Sequence, residues 1–575
     1  MRITGARILW ETLVQEGVDT VFGYPGGAIL PVYDAMLDYP IHHVLVRHEQ
    51  GAAHMADGYA RASGRLGVAI ATSGPGATNL VTGIATAMMD SSPILCITGQ
   101  VSSDAIGSDA FQETDVTGVT LPITKHNYLV SSAEEIAPTI REACYIARSG
   151  RPGPVLVDIS KDAQIEFAEY ERDRSEVRLS GYRPDLRPST DEFRSAAQMI
   201  EDAERPVILA GQGVLKSNAM QELAEFVNKT NIPVAMTLLG IGCFPASHPM
   251  NLGMMGMHGE AWVNQAIQES DLLLAFGMRF DDRVTGNLAS YAPNAKKIHI
   301  DIDPSEINKV VRADVAIVGD LRETLREVNP LLQEQSHSTW LEHIDVLKQE
   351  SGIRDVQNLP GNGRLLAAHV IHDLWQLTQG QAFVVTDVGQ HQMWAAQYYR
   401  HDRPWTLATS GGLGTMGFAL PAAIGARFAR PDEEIWVIVG DGGFQMTQAE
   451  LATCRQENIK LNIALINNSF LGMVRQWQEF FYDERYAATP MVNPDFVKLA
   501  EAHGLTGLRV ERRNQVESAV QRARNTEDTV LIEFRVAQDE AVYPMVPSGA
   551  DLQAMIRRPM NEVKARAPRS KSRVE

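Results

Sequence analysis

Cysteine is scarce in this chain. Cys96, Cys144, Cys243 and Cys454 are spread over 575 residues with no Cys-x-x-Cys pair. That spacing excludes a disulfide framework and a cysteine zinc site, and it points to a reducing, cytoplasmic setting. Positive charge is also short: 52 Lys and Arg stand against 71 Asp and Glu, a net charge of −19. Such a balance opposes binding to nucleic acid or to an anionic membrane. The one strongly basic segment, Arg557 to Arg573, reads as a frayed terminus, with a docking arm for another subunit as the alternative. No run of about 18 apolar residues is present to span a bilayer. The N-terminal MRITGARILWETLVQEG reads as an amphipathic helix without the apolar core and cleavage site of a secretory signal.

What is present is a chain 44% hydrophobic and 21% charged, long enough for roughly three or four domains of about 150 residues each. Short apolar runs alternate with helix-length segments throughout, the pattern of parallel sheets covered by helices on both faces. The fold class is therefore α/β, with three doubly wound parallel-sheet domains. The first spans residues 1–165 and holds DTVFGYPGG, HHVLVRHE, GVAIATSGPG, PILCITGQ and PVLVDISK. A linker rich in Arg, Asp, Glu and Pro covers 166–190. The second domain, 191–335, carries PVILAGQG, IPVAMT, DLLLAFGMRF, KIHIDID and VAIVGD. A polar helical linker, 336–365, leads to the third, 366–550, with AFVVTDVG, EIWVIVGDG, LNIALINN and TVLIEFRV, and a tail occupies 551–575. Several strands of the first and third blocks end on Gly, an acid or an amide just before a helix. In doubly wound folds ligands bind beyond the carboxyl ends of strands, so chemistry is expected there.

The strand ending in VIVGDGGF poses the sharpest question, because packing alone asks for neither Asp441 nor the glycines around it. The next apolar strand in sequence ends on Asn467-Asn468. If the two strands are neighbours, a carboxylate and an amide oxygen emerge on one rim, beside turn carbonyls: hard oxygen ligands suited to octahedral magnesium. The glycines admit close approach to phosphates, and a helix starting near Gln445 aims its N–H groups at them. The plainer alternative is that Asp441 caps that helix.

Ile424, Gly425, Pro431, Trp436 and Ile438, followed by Gly440-Asp441-Gly442-Gly443 and Asn467-Asn468, resemble the thiamine diphosphate motif of the decarboxylase and carboligase enzymes. The resemblance implies that Asp441, the Asn468 amide and the Phe470 carbonyl hold a magnesium ion carrying the cofactor's diphosphate. It implies that Gly389, Gln390 and His391, in TDVGQH, bind the diphosphate itself. Gly414, Met416, Gly440, Gly442, Gly443, Gly472 and Met473 complete the thiamine diphosphate site on the same ground. Thiamine chemistry also needs a carboxylic acid against the cofactor's aminopyrimidine, in an apolar setting that raises its pKa. Glu49, between an apolar strand and a small-residue helix, is the candidate, although a lone Glu there is more often a helix-terminal charge. The surrounding RHEQGAAHMADGYAR resembles the family's glutamate motif. In that family this glutamate and the metal-binding aspartate come from different subunits, which implies active sites at a homodimer interface, in a dimer or a dimer of dimers.

The resemblance covers about residues 3–550 and is most specific for the acetohydroxyacid (acetolactate) synthase family, through segments such as GYPGGAILPVYDA, GSDAFQE, GMMGMHG, RFDDRVTG, SGGLGTMGFALPAAIG and LGMVRQWQ. It implies decarboxylation of pyruvate on thiamine diphosphate and transfer of the two-carbon unit to pyruvate or 2-ketobutyrate. The products are 2-acetolactate and 2-aceto-2-hydroxybutyrate, which feed valine, leucine and isoleucine. Gly27, Ala28, Phe111, Gln112, Lys161, Met416, Met473 and Trp477 match positions near the reacting carbon. FAD is implied for the middle domain. The GQG at Gly211 and Gly213 lacks the last glycine of a dinucleotide fingerprint and is a weak signal by itself. By resemblance, however, the FAD contacts are Arg151, Gly211, Gly213, Thr237, Leu238, Met257 and His258, together with Gly277, Arg279, Asp282, Arg283, Asp301 and Asp320. RFDDRVTG separates this reading from flavin-free catabolic synthases. A small regulatory subunit is the partner that the resemblance implies.

Overall fold

A computed structural model describes residues 1–172, 175–184 and 186–566. Its first unit contributes β1 (Arg2–Thr4), β2 (Thr20–Gly23), β3 (His42–Leu45), β4 (Gly67–Ala71), β5 (Ile94–Gln100), β6 (His126–Val130), β7 (Val155–Ser160) and β8 (Phe167–Glu169). The second supplies β9 (Pro206–Ala210), β10 (Val234–Met236), β11 (Asn251–Met254), β12 (Leu272–Phe276), β13 (Lys296–Asp301) and β14 (Val315–Val318). The third supplies β15 (Phe383–Thr386), β16 (Leu407–Thr409), β17 (Ile435–Gly440), β18 (Asn462–Asn467), β19 (Thr506–Val510) and β20 (Val530–Arg535).

Each unit builds one six-stranded sheet with parallel pairing throughout. The outer two sheets repeat one permutation: β3-β2-β4-β5-β7-β6 in the first and β16-β15-β17-β18-β20-β19 in the third. The central sheet runs β11-β10-β9-β12-β13-β14, the doubly wound order in which the strand sequence reverses beside the first strand. Central strands such as β4, β5, β7, β17 and β18 are buried along their whole length, as continuous apolar runs covered on both faces must be.

Two expectations change at the N-terminus. The amphipathic helix begins at Gly5, because Arg2–Thr4 pair antiparallel with Phe167–Glu169. Those partner residues lie in the stretch expected to be linker, so its first residues form a strand. The expected frayed end also differs. Arg558 is 3% exposed, lies over the Tyr543 ring and pairs with Glu540 at 3.2 Å, while a helix covers Met560–Arg566. Residues 567–575 of that basic segment lie outside the described residues.

The first and third units join through the helices Glu49–Ser63 and Ala419–Ala429, whose backbones touch at Gly58 and Gly425. A single apolar core runs through this contact, from Phe22 and Met55 on one side to Phe418 and Phe444 on the other.

Candidate active site

β17 and β18 are parallel neighbours with Gly440 opposite Ile466, so Asp441 and Asn467-Asn468 do leave the sheet side by side. The helix after the strand begins at Asp441 rather than near Gln445. An immediate strand-to-helix turn is possible because Gly443 has no side chain to strike the Asp387 carboxylate below it. Asp441 is not the helix cap: Gly440 holds that position, with no side-chain cap bond. Asp441 is 2% exposed, and burial pushes its carboxyl up to about 6. Its Oδ2 accepts from Asn493 Nδ2 at 2.7 Å, and among the described residues no cationic side chain pairs with it. A buried carboxylate left without a counter-charge is the donor a resident cation would match. Asn468 Oδ1 lies at the start of the following turn, where it accepts from Phe470 N at 3.1 Å. Among the described residues no group of three or more His, Cys, Asp or Glu could hold a metal, so any metal here relies on one carboxylate plus amide and carbonyl oxygens.

These residues line a cavity of about 740 Å³ between the second and third units, with a strip from the first unit at Met89, Ser91 and Arg151. Three helices open onto it with uncapped N-termini: Gln390–Tyr398 after Gly389, Asp441–Thr447 after Gly440, and Gly472–Phe481 after Leu471. Helix ends without side-chain caps leave N–H groups that suit an anion, and three of them line this one cavity. Gly389 adopts φ +148°, where a side chain would crowd the His391 ring. His391 is 7% exposed, its buried Nε2 has no partner among the described residues, and burial pushes the imidazole down to about 3. A neutral, unpartnered imidazole nitrogen on such a wall fits a phosphate oxygen. Gln390 is tied instead to Gln476 Oε1 and the Glu540 carbonyl, both at 2.9 Å. Gly414, Met416, Gly442, Gly443, Met473 and Trp477 share this half of the cavity.

The other half belongs to the central sheet. Gly213, Thr237, Leu238, Met257, His258, Gly277, Arg279, Asp282, Arg283 and Asp301 line it. Gly213 packs directly on Gly277, at φ +57°, so that β9 and β12 end in backbone contact. Arg151 spans to Glu306 at 2.8 Å and Asp303 at 3.1 Å. Asp301 is pushed up to about 6 and His258 down to about 4, both chiefly by burial. Arg279 and Lys216 reach this wall without a salt bridge among the described residues, and the helix Gln212–Lys216 is also uncapped. Unpaired cations and a free helix end suit an elongated anionic ligand. Gly211 and Asp320 are not on the wall: Gly211 abuts Gly277, and Asp320 caps the helix Leu321–Val328 through Glu323 N at 3.1 Å.

None of Gly27, Ala28, Glu49, Phe111, Gln112 and Lys161 lines this cavity. They gather at the carboxyl end of the first sheet. Ala28 N donates to Thr72 Oγ1 at 3.4 Å; Gly76 lies between Thr72 and Glu49, and Gly74 lies against Gln112. Glu49 is 9% exposed and accepts from Asn79 at 2.9 Å. The bend that presents it is held from the third unit, where Glu450 accepts from Arg47 N at 3.0 Å and His48 N at 3.2 Å. Gln112 has φ +61°, and Phe111 is 88% exposed. The side chains expected from sequence to act together thus fall in two separate clusters of one chain. Asn493, Lys216, Asp90 and Asp387, which support or line the site, were not singled out from the sequence. Only Asp387 carried a signal, as an acid ending an apolar strand in TDVGQH.

Residues 3–119, 193–328 and 387–534 match, in turn, the families described as thiamine pyrophosphate enzyme N-terminal TPP binding domain, central domain and C-terminal TPP binding domain. The chain is 50% identical over 562 residues to an acetolactate synthase of Mycobacterium bovis, covering 95% of this chain and 90% of that one. It is 47% identical over 556 residues to the acetolactate synthase isozyme 2 large subunit of Escherichia coli, covering 96% and 99%. A probable acetolactate synthase large subunit of Methanocaldococcus jannaschii is 46% identical over 574 residues, covering 98% and 97%.

Proposed function

The chain belongs to the acetolactate synthase family of thiamine diphosphate-dependent enzymes, and from that premise we propose how its residues divide the work. The substrates are two molecules of pyruvate, or pyruvate and 2-ketobutyrate; carbon dioxide leaves, and 2-acetolactate or 2-aceto-2-hydroxybutyrate forms. Thiamine diphosphate, when bound, supplies the nucleophilic carbon and the electron sink that make loss of carbon dioxide possible. Asp441, Asn468 and the Phe470 carbonyl hold Mg²⁺, while the helix ends at Gly389, Gly440 and Leu471, with His391, receive the diphosphate. Met416 braces the cofactor, and Met473 and Trp477 line the pocket of the second keto acid. FAD takes the central half of the cavity, its anionic part against Arg279, Arg283 and the Gln212–Lys216 helix end.

Glu49 presents a carboxyl group to the aminopyrimidine, holding a proton at the ring nitrogen. Gln112 and Lys161 orient the substrate, with Gly27, Ala28 and Phe111 shaping its approach. Because these six stand apart from the cavity of their own chain, the reading requires a second copy to bring them over the cofactor: a homodimer or a dimer of dimers. The relatives named as large subunits support a small regulatory subunit as a further partner. Four free, buried thiols are in keeping with a cytoplasmic location.

The observation that carries this reading is that three uncapped helix N-termini and a buried carboxylate without a cationic partner among the described residues line one family-matched cavity. It is tested by supplying the purified chain with pyruvate, Mg²⁺, thiamine diphosphate and FAD, and assaying acetolactate after acid conversion to acetoin. The expected result is product from the parent and a loss of about 100-fold or more in kcat in Glu49→Gln, with thiamine diphosphate still bound. No product, even with a small subunit present, would overturn the assignment.

A further inference from the structure

The loop Ser410–Phe418 lays Leu413, Gly414 and Met416 along the cavity wall. Both of its ends are held by buried carboxylates that do not line the cavity themselves. At the first end is Asp90, 1% exposed and contributed by the N-terminal unit. It accepts from Gly412 N at 2.7 Å and Gly411 N at 3.1 Å. Arg61 Nη2 holds the same carboxylate at 2.9 Å, and Arg61 Nη1 donates to the Thr409 carbonyl at 2.7 Å. At the second end is Asp387, fully buried at the end of β15. It accepts from Gly417 N at 3.0 Å, Ala419 N at 3.0 Å and Val388 N at 2.9 Å. Among the described residues no cation pairs with Asp387; its compensation is the first turn of the helix Ala419–Ala429, where unpaired N–H groups and the helix dipole favour an anion.

The arrangement is specific to the backbone of this loop. A Cβ on Gly412 would lie 2.8 Å from Asp90 Oδ1, and outside the loop, in the helix Asp441–Thr447, one on Gly443 would lie 2.9 Å from the Asp387 carboxyl carbon. Between the anchors, Thr415 N donates to Ser410 Oγ at 2.9 Å and Thr415 Oγ1 meets Thr86 Oγ1 at 2.7 Å. Burying two carboxylates is unfavourable unless every oxygen is bonded, and here, beside the bonds from Arg61 and Val388 N, the remaining bonds come from the main chain on either side of Met416.

We propose that Asp90 and Asp387 are positioning residues that fix Gly414 and Met416 against the bound cofactor, one anchor coming from each of two structural units. The position of Met416 is thereby tied to the packing of the N-terminal unit on the C-terminal unit. This inference rests on the reading that the cavity holds thiamine diphosphate with Met416 beside it.

Asp387→Asn, Asp90→Asn, Met416→Leu and the doubles with Met416→Leu separate the possibilities. Asparagine keeps the shape but aims an N–H at a backbone N–H. In the cofactor-free protein, deuterium uptake should quicken in the peptide covering 410–419 and stay unchanged elsewhere. Thiamine diphosphate affinity, read by protein fluorescence, should stay within about threefold, while kcat falls about tenfold or more at constant KM. In the Met416→Leu background the added loss from Asp387→Asn should shrink to under about twofold, since coupled residues are non-additive.

If Met416→Leu alone matches the parent in kcat and cofactor affinity, the underlying site reading fails. If Met416→Leu lowers kcat but the Asp387→Asn factor is the same in both backgrounds, or if uptake rises throughout both units, the inference fails on its own. Should Asp387→Asn not fold, Asp90→Asn is read by the same criteria. Failure of both to fold makes these groups structural and overturns the proposal.

Discussion

Gly58→Ala is the change with the widest expected consequences. A Cβ there would lie 2.6 Å from Ala422 Cα and 2.6 Å from its carbonyl carbon, and at Gly425 the reciprocal Cβ would lie 2.7 Å from the Met55 carbonyl carbon. Carbon pairs rest at about 3.5–4.0 Å, so one added methyl forces the helices Glu49–Ser63 and Ala419–Ala429 apart by about 1 Å. Helix propensity acts the other way, favouring Ala over Gly by about 1 kcal/mol. Overpacking of a well-filled core costs about 1–3 kcal/mol, occasionally more, and both partner atoms here are backbone. The expected balance is a loss of about 1–2 kcal/mol in the urea unfolding of the cofactor-free protein. The catalytic effect should be larger, because Glu49 heads the displaced helix; a shift of about 1 Å at a catalytic group costs on the order of 100-fold in kcat. Gly352→Ala is the control: nothing lies within 4 Å of its Cβ, so propensity acts there alone. If Gly58→Ala unfolds like Gly352→Ala and keeps parental kcat, the backbone contact does not set the position of Glu49.

Shared sites predict complementation. Glu49→Gln and Asp441→Asn should each be nearly inactive as homodimers, yet co-expressed they should regain about a quarter of parental activity, because half of randomly formed dimers are mixed and each keeps one intact site. Activity no higher than in the separate mutants would place both residues in one chain's site. Glu260 is pushed up to about 8, first by burial and then by the charge of Asp355. Its folded form holds the proton more tightly than the unfolded chain does, so stability is lost as pH rises from about 4.5 towards 8, and Glu260→Gln should gain on the parent across that window. A stability difference independent of pH, measured by thermal melts, would refute it. Arg279→Ala should weaken flavin retention about tenfold, read as flavin absorbance remaining after gel filtration; unaltered retention would remove Arg279 from the flavin site.

Every interior strand of the three large sheets was found from sequence, and of the six edge strands only β3 and β14 were. Runs such as IWVIVG and PILCITG are almost entirely apolar because β17 and β5 are covered on both faces and paired on both sides. The four strands missed within the large sheets, β6, β11, β16 and β19, are all edge strands. An edge has less to bury, so HNYLV and TGLRV carry exposed or half-exposed residues and no apolar run marks them. The site divides on similar physics. Asp441 and Asn468 were legible because an acid and an amide between glycines at a strand end are locally unexpected, and the anomaly needs no knowledge of what lies nearby. Asp90 offers no such anomaly: in sequence it is an acid closing a helix, and its bonds to Gly411 and Gly412 arise only where two units meet across 321 and 322 positions. The same limit applies to Glu49. Its motif names a residue, but which surfaces it meets is decided by the packing of its helix, and Glu49 is absent from the wall of the cavity its own chain builds. A local signal can therefore identify a donor atom, whereas the partner that the donor meets is a property of the assembly.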